Sequence, residues 1–285
     1  MEVRRRLGLV GLDLAHLRER DFLRCVMRTK SGRAATFYVD DEVRSLEPQI
    51  RDRMTPGGIG ERLGIAAYGA HDLITSGLIP PYDHPFFQAR YRQPLTGCQA
   101  LLDFTDRLHK AATDPDRLGR TIPLSKLTQA IGGRQKPWRA ITQLLLDRAV
   151  TFAIKAGSQR LFARIQVETS DPTLVARLVR EEFADASPPT ISARDLGEIL
   201  NLPSVAYTAV ARLAAIGRSN NKKEIALETA LGLASRYVSV LEVAARLGHH
   251  SPRTARSILE NAGLRSDHPA GYDRGDVEAL IGSQR

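Results

Sequence analysis

Apolar residues along this chain recur mostly at helical spacing. Val243, Leu247, Ile258 and Leu259 follow it, as do Ile141, Leu144, Leu145 and Val150. Short β-rich stretches interrupt the pattern. Thr151–Ile154 and Leu161–Val167 flank Ala156-Gly157-Ser158-Gln159 and read as a hairpin with a Gly-containing turn. Arg24–Thr29 and Ala34–Val39, around Lys30-Ser31-Gly32-Arg33, read as a second hairpin.

One pattern repeats: a short helix ending in Leu-Gly, a tight turn, a second helix and a Gly-Leu-like stop. It runs from Leu7-Gly8 to Leu23, and from Leu63-Gly64 to Ile79 at the same separation. It returns from Leu247-Gly248 to Leu264, one residue longer. Weaker copies run from Leu196-Gly197 to Gly217 and from Leu124 through Ile131-Gly132 to Val150. Glycine after the Leu takes the sharp turn because a missing Cβ permits positive φ. Ser251-Pro252 opens the last second helix as N-cap and first helical residue. Tyr272–Leu280 and Tyr38–Leu46 read as closing helices with the same order of an aromatic, an Asp, then Val and Leu. The physics of two helices across a tight turn is a helix-turn-helix, its second helix held exposed.

The expected fold class is mainly α, made of tandem helix-turn-helix and winged-helix units with short β-hairpin wings. Turn-rich stretches at Asp52–Gly58, Thr113–Asp116, Ala184–Pro189 and Ser219–Asn221 mark the joints. Five units follow. Residues 1–54 form a partial helix-turn-helix with a closing helix, and 58–112 a helix-turn-helix-like unit. Residues 118–184 form a basic winged-helix-like unit, 187–236 a helical hairpin and 237–285 a further helix-turn-helix. Ile79–Pro94, rich in Pro and aromatics, reads as an ordered loop of the second unit.

The formal charge is +9, which favours a polyanionic partner. The excess is uneven: residues 116–186 hold 12 Lys/Arg against 7 Asp/Glu, whereas 237–285 hold 6 of each. The third unit is therefore the expected footprint on duplex DNA. Arg134, Gln135, Lys136 and Arg139 stand at a helix start, where free N–H groups bind phosphate and cations release counterions. Gln135 and Arg139 have the chemistry to read adenine or guanine edges. Lys155, Arg160 and Arg164 stand on the hairpin behind. In the fifth unit Arg253, Thr254, Arg256 and Ser257 are the candidate groove-facing residues. Asp13, His16 and Arg20 are their counterparts in the first unit, where acidic neighbours argue against strong DNA contact.

Other chemistry fails its test. Gly132–Pro137 lacks the Lys-Ser/Thr ending of a phosphate-binding loop. His249 and His250 are adjacent and point about 100° apart on a helix. Asp40-Asp41 and Glu181-Glu182 fit solvated helix ends. Leu247-Gly248-His249-His250-Ser251-Pro252-Arg253-Thr254 resembles a tyrosine-recombinase box, but no nucleophilic Tyr stands near Ile258 or Leu259. No catalytic residue, metal or cofactor is expected. Cys25 and Cys98 cannot build a zinc site and fit a reducing cytoplasm. No stretch reaches the length of a membrane helix.

Ile131–Trp138 with its following Leu-rich helix, the Leu63-Gly64 unit to Ile79, and Val243–Leu264 together resemble the C-terminal part of the TniQ family, accessory factors of transposons. Longer bacterial members carry tandem helix-turn-helix units after an N-terminal zinc-binding part. That Cys/His part is missing here and the chain opens at Val3 inside a first helix, as in a truncated copy or one whose start lies upstream. The resemblance implies a DNA-binding target-selection factor whose partners are duplex DNA and the transposase or ATPase proteins of a mobile element. Two other readings stay open: a transcriptional regulator or plasmid replication initiator, and a helical protein–protein adaptor.

Overall fold

The computed structural model describes residues 2–8, 11–30, 33–179, 190–219, 222–248 and 251–283. Among them the chain is mainly helical, with five small antiparallel sheets. The Ser31-Gly32, Glu181-Glu182, Ala184–Pro189, Asn220-Asn221 and His249-His250 positions lie outside the described residues, as do the side chains of Asp13 and His16.

One order of parts recurs: strand, helix, helix, strand or hairpin, helix. In the second unit it is Arg53–Met54, Pro56–Leu63, Ala67–Thr75, Thr96–Gly97 and Cys98–Ala111. The third begins with Thr121–Pro123 and Leu124–Leu127, continued by a 3-10 turn, and has Trp138–Leu146 as its second helix. Its hairpin strands are Phe152–Ile154 and Ile165–Glu168, and Leu174–Leu178 follows. The fourth has Thr190–Ile191, Ala193–Ile199, Ser204–Ala214, the hairpin Ala215–Ser219/Lys222–Ala226, and Leu227–Arg236. The fifth has Tyr237–Val238, Val240–Arg246, Pro252–Asn261, Tyr272–Asp273 and Arg274–Ser283. In each of these four, the leading strand pairs antiparallel with the last strand of its own unit. The first unit shows the helices Glu2–Leu7 and Gly11–Glu19, the hairpin Cys25–Lys30/Arg33–Tyr38, and the closing helix Asp40–Asp52.

Local chemistry explains the recurrence. Thr55, Ser192 and Ser239 cap their helices, each hydroxyl accepting the N–H three residues on. Eight residues after each cap stands Leu63, Leu200 or Leu247. The next residue, Gly64, Asn201 or Gly248, has positive φ. The sharp turn after Leu is thus as expected at Gly8, Gly64 and Gly248. In the fourth unit it falls on Asn201, not on Gly197: the Asn side chain tolerates the left-handed region, while Gly197 lies inside a helix against Tyr207, where a Cβ would meet the ring at 2.4 Å. The first two units align in sequence at an offset of 56 residues. Gly8, Leu17, Asp21 and Leu23 map onto Gly64, Leu73, Gly77 and Ile79, with Asp21 and Gly77 both at positive φ. The bonds Leu23 N–H to Leu17 O and Ile79 N–H to Leu73 O, each reaching back six residues, end both second helices alike.

The burial does not follow the units one by one. Units two to four share one continuous core, running from Ile59 and Phe104 through Trp138, Ile165 and Leu196 to Ala234. The fifth unit has its own, around Val243, Leu259 and Val277. The first unit's core of Leu7, Leu17, Leu23, Val43, Leu46 and Ile50 also takes in Phe86, Phe87 and Leu95. The aromatic segment after Ile79 therefore closes the first unit, because its side chains complete that core instead of the second. The expected strand Leu161–Val167 is also shorter than read. Leu161–Arg164 turns once as a helix so that Phe162 reaches Trp138, the rings edge-to-face at 5.2 Å, and pairing starts at Ile165. No helix among the described residues is long and apolar enough to cross a membrane.

Candidate nucleic-acid interface

The Gly132–Trp138 segment passes through the joint between units, not over the surface. Lys136 is 5% exposed, and its Nζ donates to Asn201 Oδ1 at 2.6 Å and to the Glu198 carbonyl at 3.0 Å. Burial lowers its pKa to about 8 against the opposing pull of Glu198 and Glu242. The Glu198 carboxylate accepts three donors from two other units: Trp138 Nε1 at 2.6 Å, Tyr68 OH at 2.8 Å and Ala66 N at 2.8 Å. Burial raises the pKa of Glu198, opposed by the Lys136 charge and those donors. It also holds the Tyr68 hydroxyl well above its ordinary value. Asn201 Nδ2 donates to the carbonyls of Gln129 and Ile131 at 3.2 and 3.1 Å. Glu242, almost fully buried, is held by Arg274 at 2.6 Å and Arg246 at 3.0 Å. A buried charge is tolerated only with such pairing, so these groups fasten four units together. A cavity of about 280 Å³ adjoins Lys136, Trp138, Glu198 and Tyr207.

Three second helices differ at their starts. At Trp138–Leu146 the Asp72 carboxylate accepts the Arg139 N–H at 3.0 Å. At Ala67–Thr75 the carboxylates of Glu198 and Asp195 accept Ala66 N–H and Ala67 N–H, both at 2.8 Å. At Pro252–Asn261 Ser251 makes no side-chain cap bond. That helix buries Ala255 and Leu259 and leaves Arg253, Thr254, Arg256 and Ser257 exposed.

The expected footprint of the third unit is therefore corrected. Gln135 and Lys136 are buried, because the segment must cross the joint, and neither presents its side chain to a duplex. Arg134 is half-buried and donates to the Val179 carbonyl at 3.0 Å. The Trp138 helix start, expected to be open to phosphate, is closed by Asp72. Arg139, Lys155 and Arg160 are exposed, and the Arg160 stem lies over Gly64, where an added Cβ would stand 2.8 Å from the Arg160 Cβ. Arg253 and Arg256 have no carboxylate within ion-pair distance among the described residues, unlike Arg246 and Arg274 in the same unit. Glu198, Asn201 and Asp72 were not singled out from sequence. The capping signature Ser-x-x-Asp/Glu, present as Ser192/Asp195 and Ser239/Glu242, was the signal available for the acidic helix starts that reach across the joint. No group of three His, Cys, Asp or Glu able to hold a metal occurs among the described residues.

The class defined so far is a mainly helical protein of recurring small α/β-hairpin units. No family model, curated protein or solved structure matches the chain.

Proposed function

We propose that this protein is a non-enzymatic binder of duplex DNA, built of tandem helix-turn-helix and winged-helix units. The carrying observation is the Pro252–Asn261 helix, whose start Ser251 does not cap through its side chain and whose outer face holds Arg253, Thr254, Arg256 and Ser257. An exposed second helix entering the major groove by its N-terminal residues is the helix-turn-helix mode of reading DNA. The order strand, helix, helix, hairpin, with the leading strand paired to the hairpin's second strand in units three and four, supports the winged-helix part of this reading. The resemblance to the TniQ family makes the role an accessory one in transposition, with a transposase or ATPase as protein partner.

The test is fluorescence anisotropy of a labelled duplex across a salt series. Micromolar or weaker non-specific binding is expected at physiological salt, weakening linearly in log–log form. Arg253→Ala and Arg256→Ala should each flatten the slope by about 1. Absence of binding at every salt concentration sinks the proposal. A second reading, a helical adaptor for proteins, is favoured by the burial of Gln135 and Lys136, which removes part of the third unit's footprint. Charge reversal at Arg253 and Arg256 with unchanged DNA affinity would favour it.

A further inference from the structure

The first unit, whose acidic residues argue against DNA contact in the sequence, carries a feature of the opposite sign. Its hairpin, Cys25–Lys30 and Arg33–Tyr38, is a sheet of two strands. No third strand covers it, unlike the hairpins of units three and four. Val26, Met27 and Phe37 are 54%, 65% and 51% exposed, so the ribbon stands away from the core on both faces. Residues 25–38 contain three cations, Arg28, Lys30 and Arg33, and no carboxylate. The register pairs Val26 with Phe37, Arg28 with Ala35 and Lys30 with Arg33. Period-two alternation puts Val26 and Arg28 on the same face as Phe37. The Arg28 guanidinium lies 6.0 Å from the centre of the Phe37 ring.

Three of the five acidic residues of the closing helix are already engaged in ion pairs. Asp40 is bridged by Arg6 and Arg44, Glu47 by Arg6 and Arg51, and Glu42 by Arg24. The other two hairpins are also basic in sequence. Residues 152–168 hold Lys155, Arg160 and Arg164 against Glu168, and 215–226 hold Arg218, Lys222 and Lys223 against Glu224.

We infer that the Cys25–Tyr38 hairpin is a DNA-contacting arm, laying its basic strands along the phosphates bordering a major groove. A two-stranded ribbon is narrow enough for that groove, and three cations with no carboxylate fit a polyanion better than an apolar partner. The inference rests on the DNA-binding reading above, but concerns a different unit and different residues from the Pro252–Asn261 helix.

The full-length chain carrying Arg28→Ala, Lys30→Ala and Arg33→Ala is compared with wild type on a labelled duplex of about 30 base pairs, since counterion release scales with phosphate contacts. The expected result is a log–log salt slope flatter by about 2 to 3 and an affinity at least about tenfold weaker at low salt. The double change Arg28→Lys and Arg33→Lys should keep the slope. Thermal melting checks that the arm variant folds, as an exposed ribbon allows. Wild-type affinity and slope in the triple variant overturn the arm while leaving the helix reading intact. No binding by wild type overturns both. A photo-crosslinking residue at the exposed Val26, which shares a face with Arg28, should capture DNA, and capture of a second copy of this chain alone, through the open strand edges, would also overturn the arm.

Discussion

The carboxylate of Asp72 accepts the backbone N–H of Arg139 at 3.0 Å, so the last turn of one unit's second helix caps the first turn of the next unit's second helix. A carboxylate at a helix start complements both the unpaired N–H groups and the macrodipole. Asp72→Ala should lower stability by about 1 kcal/mol, the usual loss of an N-cap acceptor. Asp72→Asn, which keeps an acceptor, should lose less. Urea midpoints at unchanged m-value measure both, and a midpoint unaffected by Ala would show that the cap contributes nothing.

Glu198 gathers donors from Ala66, Tyr68 and Trp138. Glu198→Ala strands all three donors, each worth about 1–3 kcal/mol when left buried and unpaired, so a loss of at least about 3 kcal/mol is expected. Glu198→Gln retains an acceptor and should lose less. Trp138 is the chain's single tryptophan, so its fluorescence reports this joint directly. An unshifted emission spectrum in Glu198→Ala would contradict the indole bond.

Lys136 gives the fold a pH signature. Its amine keeps its proton to about 10.5 when unfolded and to about 8 when folded. Between those values the unfolded chain binds more protons, so this group's contribution to stability rises as pH rises from about 8. Tyr68 acts in the opposite sense above pH 10, because the fold retains its proton. Lys136→Met removes the first contribution and keeps the second. The stability difference, wild type minus Lys136→Met, should therefore grow between pH 8 and pH 10, measured by denaturant titration at each pH. A flat difference would mean that the amine titrates normally.

Gly132 stands where a Cβ would lie 1.9–2.0 Å from the Glu242 carboxylate, which is itself pinned by Arg274 and Arg246. Gly132→Ala must displace a buried ion cluster and should lose at least the roughly 1–3 kcal/mol of core overpacking. Gly232→Ala, with open space at its Cβ, is the matched control and should be near neutral or slightly stabilising. Thermal midpoints of the two variants separate these outcomes.

Much of the fold was legible because it is written in local chemistry. The Leu-Gly turns declare themselves through a residue type that alone tolerates positive φ cheaply, and the Cys25–Tyr38 hairpin shows its two strands as β-rich runs. Where the turn used Asn201 the same signal was displaced onto Gly197, since glycine also serves close helix contact. The candidate site was read less well for a physical reason. A cluster such as Arg134-Gln135-Lys136 looks like a surface patch when counted by charge, but burial depends on what packs over it. The covering groups, Glu198 and Asn201, lie more than sixty residues away in sequence. The Arg253–Ser257 face was legible because amphipathic spacing within a single helix decides it.

The helix Asp40–Asp52 runs into the strand Arg53–Met54 with no residue between them, and Leu227–Arg236 into Tyr237–Val238 likewise. The array has repeats but no slack at these seams. These two seams join the first unit to the second and the fourth to the fifth, so an insertion at either would part a helix from the strand it runs into. Excision of the third or fourth would tear the core that units two to four hold in common. A lineage of such chains should keep its three middle units together, gaining or losing none of them singly.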